Sequence, residues 1–298
     1  MERNILLTLE YDGSLFHGWQ EQQGLRTVQG TLQEALGAVL GHEVKVAGTS
    51  RTDAGVHALG QCCSFRTGSA IPEQRLPEAV NNMLAGGRTG AGSKVADVRV
   101  ISAREVPEDF HARFDCRGKT YRYMIRTGAP DIFRRNHIYY IDCEPDVELM
   151  RLAAEQIVGT NDFRCFMAAG GNPGNSTVRT VSSLEISETV LPYPTKHERR
   201  SFPGEGRRPE GGARFPGGPG MPMVQAPVFM PAREIAIEIT GDGFLYNMVR
   251  IIAGTLIEVG LGKRTPESIR ETIESLDRAN AGHTAPPWGL YLKEIYFD

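Results

Sequence analysis

The sequence predicts an α+β protein of two ferredoxin-like units, residues 1–106 and 107–298, whose mixed, mainly antiparallel sheets face a central cleft. Two observations carry that expectation. The first 106 residues read as strand, helix, strand, strand, helix, strand. In this split βαβ order, helices cover one sheet face and leave the other for ligands or a second layer. The second half runs through a similar mixture, although no fixed-period repeat links the two.

Residues 4–11 alternate apolar and polar side chains as a strand does, and Val28, Leu32, Leu36, Val39 and Leu40 mark one face of a helix. Residues 44–47 and 61–65 read as strands, 72–84 as a helix with proline near its start, and 95–106 as a further strand. In the second half, strands are expected at 120–126, 137–142 and 178–187, with a helix at 147–158. A strand at 234–240, helices at about 245–259 and 266–276, and a last strand at 290–297 complete the pattern. Between 192 and 231, 16 of 40 residues are Pro or Gly, too few apolar groups to offset the entropy of ordering, so the stretch reads as a flexible insertion. Its arginines are either incidental charge on a solvated loop or contacts for RNA.

The chain is 40% hydrophobic and 23% charged, ordinary for a globular protein with a sizeable core. The first residues carry no secretion pattern, and the longest apolar candidate for a membrane span, 246–260, is short and interrupted by Arg250 and Glu258. A cytoplasmic protein without membrane association is expected. Five cysteines without CxxC spacing suggest neither a disulfide framework nor a zinc cluster, and read as small core residues. A net charge of −3 leaves nucleic-acid binding open, because RNA needs only a local basic surface.

Four stretches hold residue types that do chemistry. In "TSRTDAGVHA", residues 49–58, Asp53 sits in a glycine-containing turn between strands. Such a loop either holds a carboxylate at the edge of a cleft or uses it to cap a turn. His57 could serve as acid or base, or make structural hydrogen bonds, and no second histidine lies nearby in sequence to complete a metal set. Arg250 lies among Met248, Val249, Ile251 and Ile252, which suggests a partly buried stem. A buried guanidinium needs a partner, best a carboxylate. Asp242 and Glu258 are the local choices, and an acid from elsewhere in the chain is the functional one. "GKTYRYMIRT", residues 118–127, sets Tyr121, Tyr123 and Ile125 on one strand face and Arg122, Met124 and Arg126 on the other. That interleaving serves either base stacking with phosphate binding or an ordinary core face. "TAPPWGLYL" either lines a pocket with Trp288 and Leu290 or turns the chain into its last strand.

Taken together, "YDGSLFHGWQEQQGLRTVQG", "SRTDAGVHA", "FHARFDCRGKTYRY", "STVRT", "GDGFLYNMVRIIAGTLIEVG" and "APPWGLYL" resemble, in this order, the TruA family of tRNA pseudouridine synthases. The likeness spans nearly the whole chain outside the Pro/Gly-rich insertion. It implies isomerisation of uridine in the anticodon stem-loop of tRNA: the N1–C1′ bond breaks and the base rejoins through C5, with no metal or organic cofactor. Asp53 matches the family's essential aspartate and becomes the nucleophile, whether at ribose, at base or through a glycal route. Arg250 matches the arginine that pairs with it and would keep Asp53 ionised, offsetting desolvation. Tyr121 matches the aromatic that stacks on the target base, Leu290 would help exclude water, and Arg51 would assist extrusion of the base or orient the loop. The resemblance also implies a homodimer with tRNA in a basic cleft. With 6 Lys among 33 basic residues, that surface would be mostly arginine, suited to bidentate phosphate contacts. Two other classes stay open: a non-catalytic RNA-binding protein, and an N-glycosidic-bond hydrolase, which would commonly need a second carboxylate.

Overall fold

The computed structural model describes residues 2–86, 96–171, 176–191 and 232–297. The Pro/Gly-rich stretch 192–231, expected as a flexible insertion, lies outside the described residues. The first half contains β1 (Arg3–Tyr11), α1 (Val28–Leu40), β2 (Ala47–Gly48), β3 (His57–Thr67), α2 (Leu76–Leu84) and β4 (Val98–Val106). The second contains β5 (Gly118–Thr127), β6 (Tyr139–Tyr140), α3 (Val147–Glu155), β7 (Gly159–Asp162), β8 (Val178–Leu191), β9 (Ala232–Gly241), α4 (Met248–Gly260), α5 (Ser268–Ser275) and β10 (Leu290–Tyr296).

The strands form one ten-stranded mixed sheet in the order β4-β1-β3-β10-β5-β9-β8-β7, with β2 on β3 and β6 on β5. Separate sheets facing each other across a cleft were expected; instead the two halves are joined edge to edge. The junction is the parallel pair β3–β10, where Tyr291 stands opposite His57 and Leu292 opposite Ala58. Apart from this pair and β5–β6, the ladders are antiparallel. A single buried cluster runs through both halves and includes Ile5, Leu36 and Val80 together with Ile125, Ile239 and Ile252.

Local chemistry sets most element ends. Thr27 caps α1 by accepting from Gly30 N, and Gly41 ends that helix in the left-handed region at φ 76°. Asp146 caps α3 by accepting from Glu148 N and Leu149 N. The helix α4 is apolar nearly all round and therefore buried as a core helix. Among the described residues no helix is long and apolar enough to cross a membrane.

Several boundaries differ from the sequence reading. The strand expected at 44–47 is the two-residue β2, and the one at 137–142 is the two-residue β6. The helix expected from 72 opens as a 3-10 turn at Glu73–Arg75, and α3 stops at Glu155. The polar strand β7, "GTND", has no apolar alternation and escapes the pattern. The helix expected from 245 starts at Met248 because Asn247 adopts φ 60°, ψ 7°, outside the right-handed helix. Of the cysteines read as core residues, Cys62, Cys63 and Cys165 are buried, whereas Cys116 is half-buried and Cys143 exposed.

Candidate active site

The β3–β10 junction explains where the site forms. The loop between β2 and β3 carries Ser50, Arg51 and Asp53, and β3 begins at His57, beside the start of β10. Leu290, the first residue of β10, stands opposite Tyr123 of β5, so the loop, β10 and β5 meet at one point. A cavity of about 650 Å³ opens there, and Arg51, Asp53, Tyr121, Arg250 and Leu290 all line it.

The loop is held from beneath by buried polar groups. Gln61 Nε2 donates to Ser50 O at 2.7 Å, Thr49 Oγ1 donates to Cys62 O at 3.0 Å, and the Tyr11 and Thr52 hydroxyls share a 2.7 Å hydrogen bond. Gly55 adopts φ +77°, a conformation that side chains rarely take, and turns the chain two residues after Asp53. Gly18 lies so close that a Cβ there would meet Thr52 O at 2.6 Å. The carboxylate of Asp53 therefore stands on a loop with little freedom to move.

Arg250, on the first turns of α4, reaches this loop from the other half. Its Nη1 donates to Asp53 Oδ2 at 3.4 Å and to Asn247 Oδ1 at 2.6 Å, while Nε donates to Ala285 O at 2.8 Å. Neither local candidate is its partner: Asp242 accepts from Thr180 N, and Glu258 binds Arg264 and His283. The Asp53 contact is a single hydrogen bond rather than a bidentate fork. Burial pushes the Asp53 carboxyl above its ordinary pKa, and the Arg250 charge only partly opposes this. Arg250 acts in the expected direction, lowering the Asp53 pKa, but by less than burial raises it. One long contact recovers less than burial takes away.

Tyr121 is 7 % exposed and meets Phe244 edge to face at 5.3 Å between ring centroids. Its hydroxyl lies 2.9 Å from Ser50 Oγ, and burial pushes the phenol up to about 12, so it is neutral. Leu290 is buried at the cavity wall and Arg51 is exposed at its rim. Lys119, Arg113, Phe244 and Asn247 also line the cavity, and the sequence reading passed over them. Lys119 had a signal, since period-two alternation sets it on the face of Tyr121. Asn247 had none, because its role depends on a left-handed backbone at the start of α4.

His57 is buried, and the fold brings His137 against it with ring centroids 4.8 Å apart, although the sequence places no second histidine nearby. Asp12, His57 and His137 could present donors within 4.8 Å of one another. Gly13 N already donates to His57 Nδ1 at 3.1 Å, and His57 Nε2 donates to Asn136 O at 2.9 Å. Both ring nitrogens are used. Burial lowers the pKa of His57, which opposes an ion pair with Asp12 Oδ1 at 3.2 Å. The group clasps the base of the loop and offers no free His57 nitrogen to a metal.

A carboxylate, a guanidinium from the other half, a buried phenol and further basic side chains thus line one cavity, which brings a negative group and a cluster of cations within reach of one ligand. The family model for tRNA pseudouridine synthase matches residues 8–115 and 153–298, and the chain belongs to this family. It is 40% identical over 296 residues to a tRNA pseudouridine synthase A of Ruminiclostridium cellulolyticum, covering 99% of this chain and 100% of the relative. It is 39% identical over 297 residues to one of Caldicellulosiruptor bescii, with the same coverage. A relative from Clostridium tetani, tRNA pseudouridine synthase A 2, is 37% identical over 304 residues, with complete coverage of both chains.

Proposed function

We propose that this isomerase, which forms pseudouridine in tRNA, acts on uridines of the anticodon stem-loop with Asp53 as its nucleophile. The single observation that carries the reading is the Asp53–Arg250 contact inside a cavity of nucleotide size. The carboxylate forms a covalent intermediate, which divides a difficult substitution into two steps. Arg250 supports its ionised form. Tyr121 borders the base, Leu290 excludes water, and Arg51 stands where it can fill the vacated stack. Extruding a base costs a few kcal/mol and one aromatic contact returns about 1–3 kcal/mol, so phosphate contacts supply the rest. Arg51, Arg113, Lys119 and Arg250 make the cavity basic although the chain is net acidic.

Asp53 is the only carboxylate among the described residues lining the cavity, which disfavours a hydrolase that works with an acid pair. A binding protein without catalysis has no use for a carboxylate whose ionisation burial opposes. The reading includes two ferredoxin-like units with a boundary near residue 106. The strand orders β4-β1-β3-β2 and β10-β5-β9-β8, each with a helix after its first and third strands, support it. A cytoplasmic homodimer binding tRNA across both subunits, without metal or organic cofactor, completes it on the family resemblance.

The deciding experiment uses tRNA tritiated at uridine C5. The enzyme should release the label and leave pseudouridine in the anticodon stem-loop, mapped by position. Release of free uracil, or binding without label release, would refute the reading. Sizing with and without tRNA checks the dimer.

A further inference from the structure

Rejoining the base through C5 leaves that carbon bonded to both C1′ and its old hydrogen, so a base must take the proton. This inference rests on the reading above. Tyr121 is placed to accept it, but a neutral, buried phenol can do so only if its own proton leaves at the same time. Among the described residues, the hydrogen-bond partner of its hydroxyl is Ser50 Oγ at 2.9 Å. Beyond it, Lys119 Nζ stands 3.2 Å from Ser50 Oγ and 3.2 Å from Thr49 O.

We propose that Lys119, acting through Ser50 and Tyr121, receives the proton released from uridine C5. The C5–H bond breaks, its electron pair restores the C5=C6 double bond, and N1 ends protonated from solvent. The C5 proton goes to Tyr121 Oη as the phenol proton passes to Ser50 Oγ and the serine proton to the Lys119 amine, which becomes ammonium. Lys119 then returns its proton to water through the cavity it lines.

The surroundings suit an amine. Lys119 makes no ion pair with a carboxylate among the described residues, and its charged or titratable neighbours are Cys116, Arg113 and Arg179. Tyr121 follows through Ser50, with Asp53 and Arg250 in the same cavity wall. Burial first, and then the two arginines, lower its pKa. In the amine form, one N–H still donates to Thr49 O while the lone pair accepts from the Ser50 hydroxyl. Ser50 and Lys119 are thus positioning residues, since Tyr121 alone touches the base.

The test is single-turnover label release by the full chain on tRNA carrying tritium or deuterium at uridine C5, followed across neutral pH. Lys119→Arg keeps donors and charge but cannot become an amine. It should bind tRNA within about 2-fold of wild type, release label about 10- to 100-fold more slowly, and show a larger C5 deuterium isotope effect. It should also lose the rise of rate with pH that reflects amine formation. Ser50→Ala should slow release to a similar degree. Wild-type rates and pH profile in both variants overturn the proposal. So does a loss explained by tRNA affinity or thermal stability alone, with profile and isotope effect unchanged. If the wild-type protein itself releases no label, the proposed function fails first and takes this inference with it.

Discussion

Arg250 Nη1 stands 3.4 Å from Asp53 Oδ2, although the two residues are 197 positions apart in the chain. The contact crosses the β3–β10 junction that makes one sheet of two halves. The same guanidinium is held by Ala285 O and Asn247 Oδ1, so its position does not depend on Asp53.

Replacing Asp53 by Asn should lower label release by at least about 1000-fold, because the proposed nucleophile is gone. Affinity for tRNA should stay within about 3-fold, since phosphate contacts dominate it. Stability should be equal or higher. The raised pKa of Asp53 means the native state holds its proton more tightly than the unfolded chain. Stability then falls as pH rises from the ordinary carboxylate range through the raised value, and Asn removes that slope. Thermal unfolding at several pH values checks the sign, and a clear drop in Tm at neutral pH would contradict it.

Arg250→Lys should leave the fold intact but lose the fork that reaches three acceptors. Turnover should fall about 10- to 100-fold, and the acid limb of the rate profile should move to higher pH, because the shorter, unforked lysine cation holds Asp53 less closely. In the wild-type protein burial already raises the Asp53 carboxyl above its ordinary pKa, with Arg250 opposing the shift. An unchanged limb would show that Arg250 does not govern the ionisation of Asp53.

Asn247 separates backbone strain from side-chain function. At φ 60°, ψ 7°, alanine should cost about 1–2 kcal/mol relative to glycine, which adopts this conformation freely. Both variants lose the 2.6 Å acceptor for Arg250. Urea unfolding should therefore find Asn247→Ala weakened and Asn247→Gly near wild type, while single-turnover assays find both slow. Full activity in the glycine variant would remove Asn247 from the site.

Glu258 ties α4 to the segment carrying Ala285. It accepts from His283 N at 2.9 Å and from Arg264 Nε at 2.7 Å. Burial alone would raise its pKa, but the His283 and Arg264 hydrogen bonds outweigh it and hold the carboxyl at about 2. A depressed pKa contributes stability above the unfolded value near 4.5 and loses it as pH falls towards 2. Glu258→Gln should cost on the order of 2 kcal/mol at neutral pH, with the difference from wild type shrinking between these two values. A pH-independent difference would contradict this assignment.

Local patterning made much of the fold legible. The alternation in β1 and β5, the helical face from Val28 to Leu40 and the apolar run of α4 are short-range consequences of burying one face or all of an element. The polar β7 and the shortened β2 and β6 were not legible, because pairing with a neighbour strand, rather than their own residues, makes them strands.

By itself, then, the sequence determined the residue types, the order of elements and the motifs that mark Asp53, Tyr121, Arg250, Leu290 and Arg51. Tertiary structure decided that they line one cavity, that Arg250 chooses Asp53 over the nearer Asp242 and Glu258, and that Lys119 stands behind Tyr121. The physical reason is range. Periodicity and capping act over a few residues, whereas an ion pair across a sheet junction depends on register and burial set by the whole core.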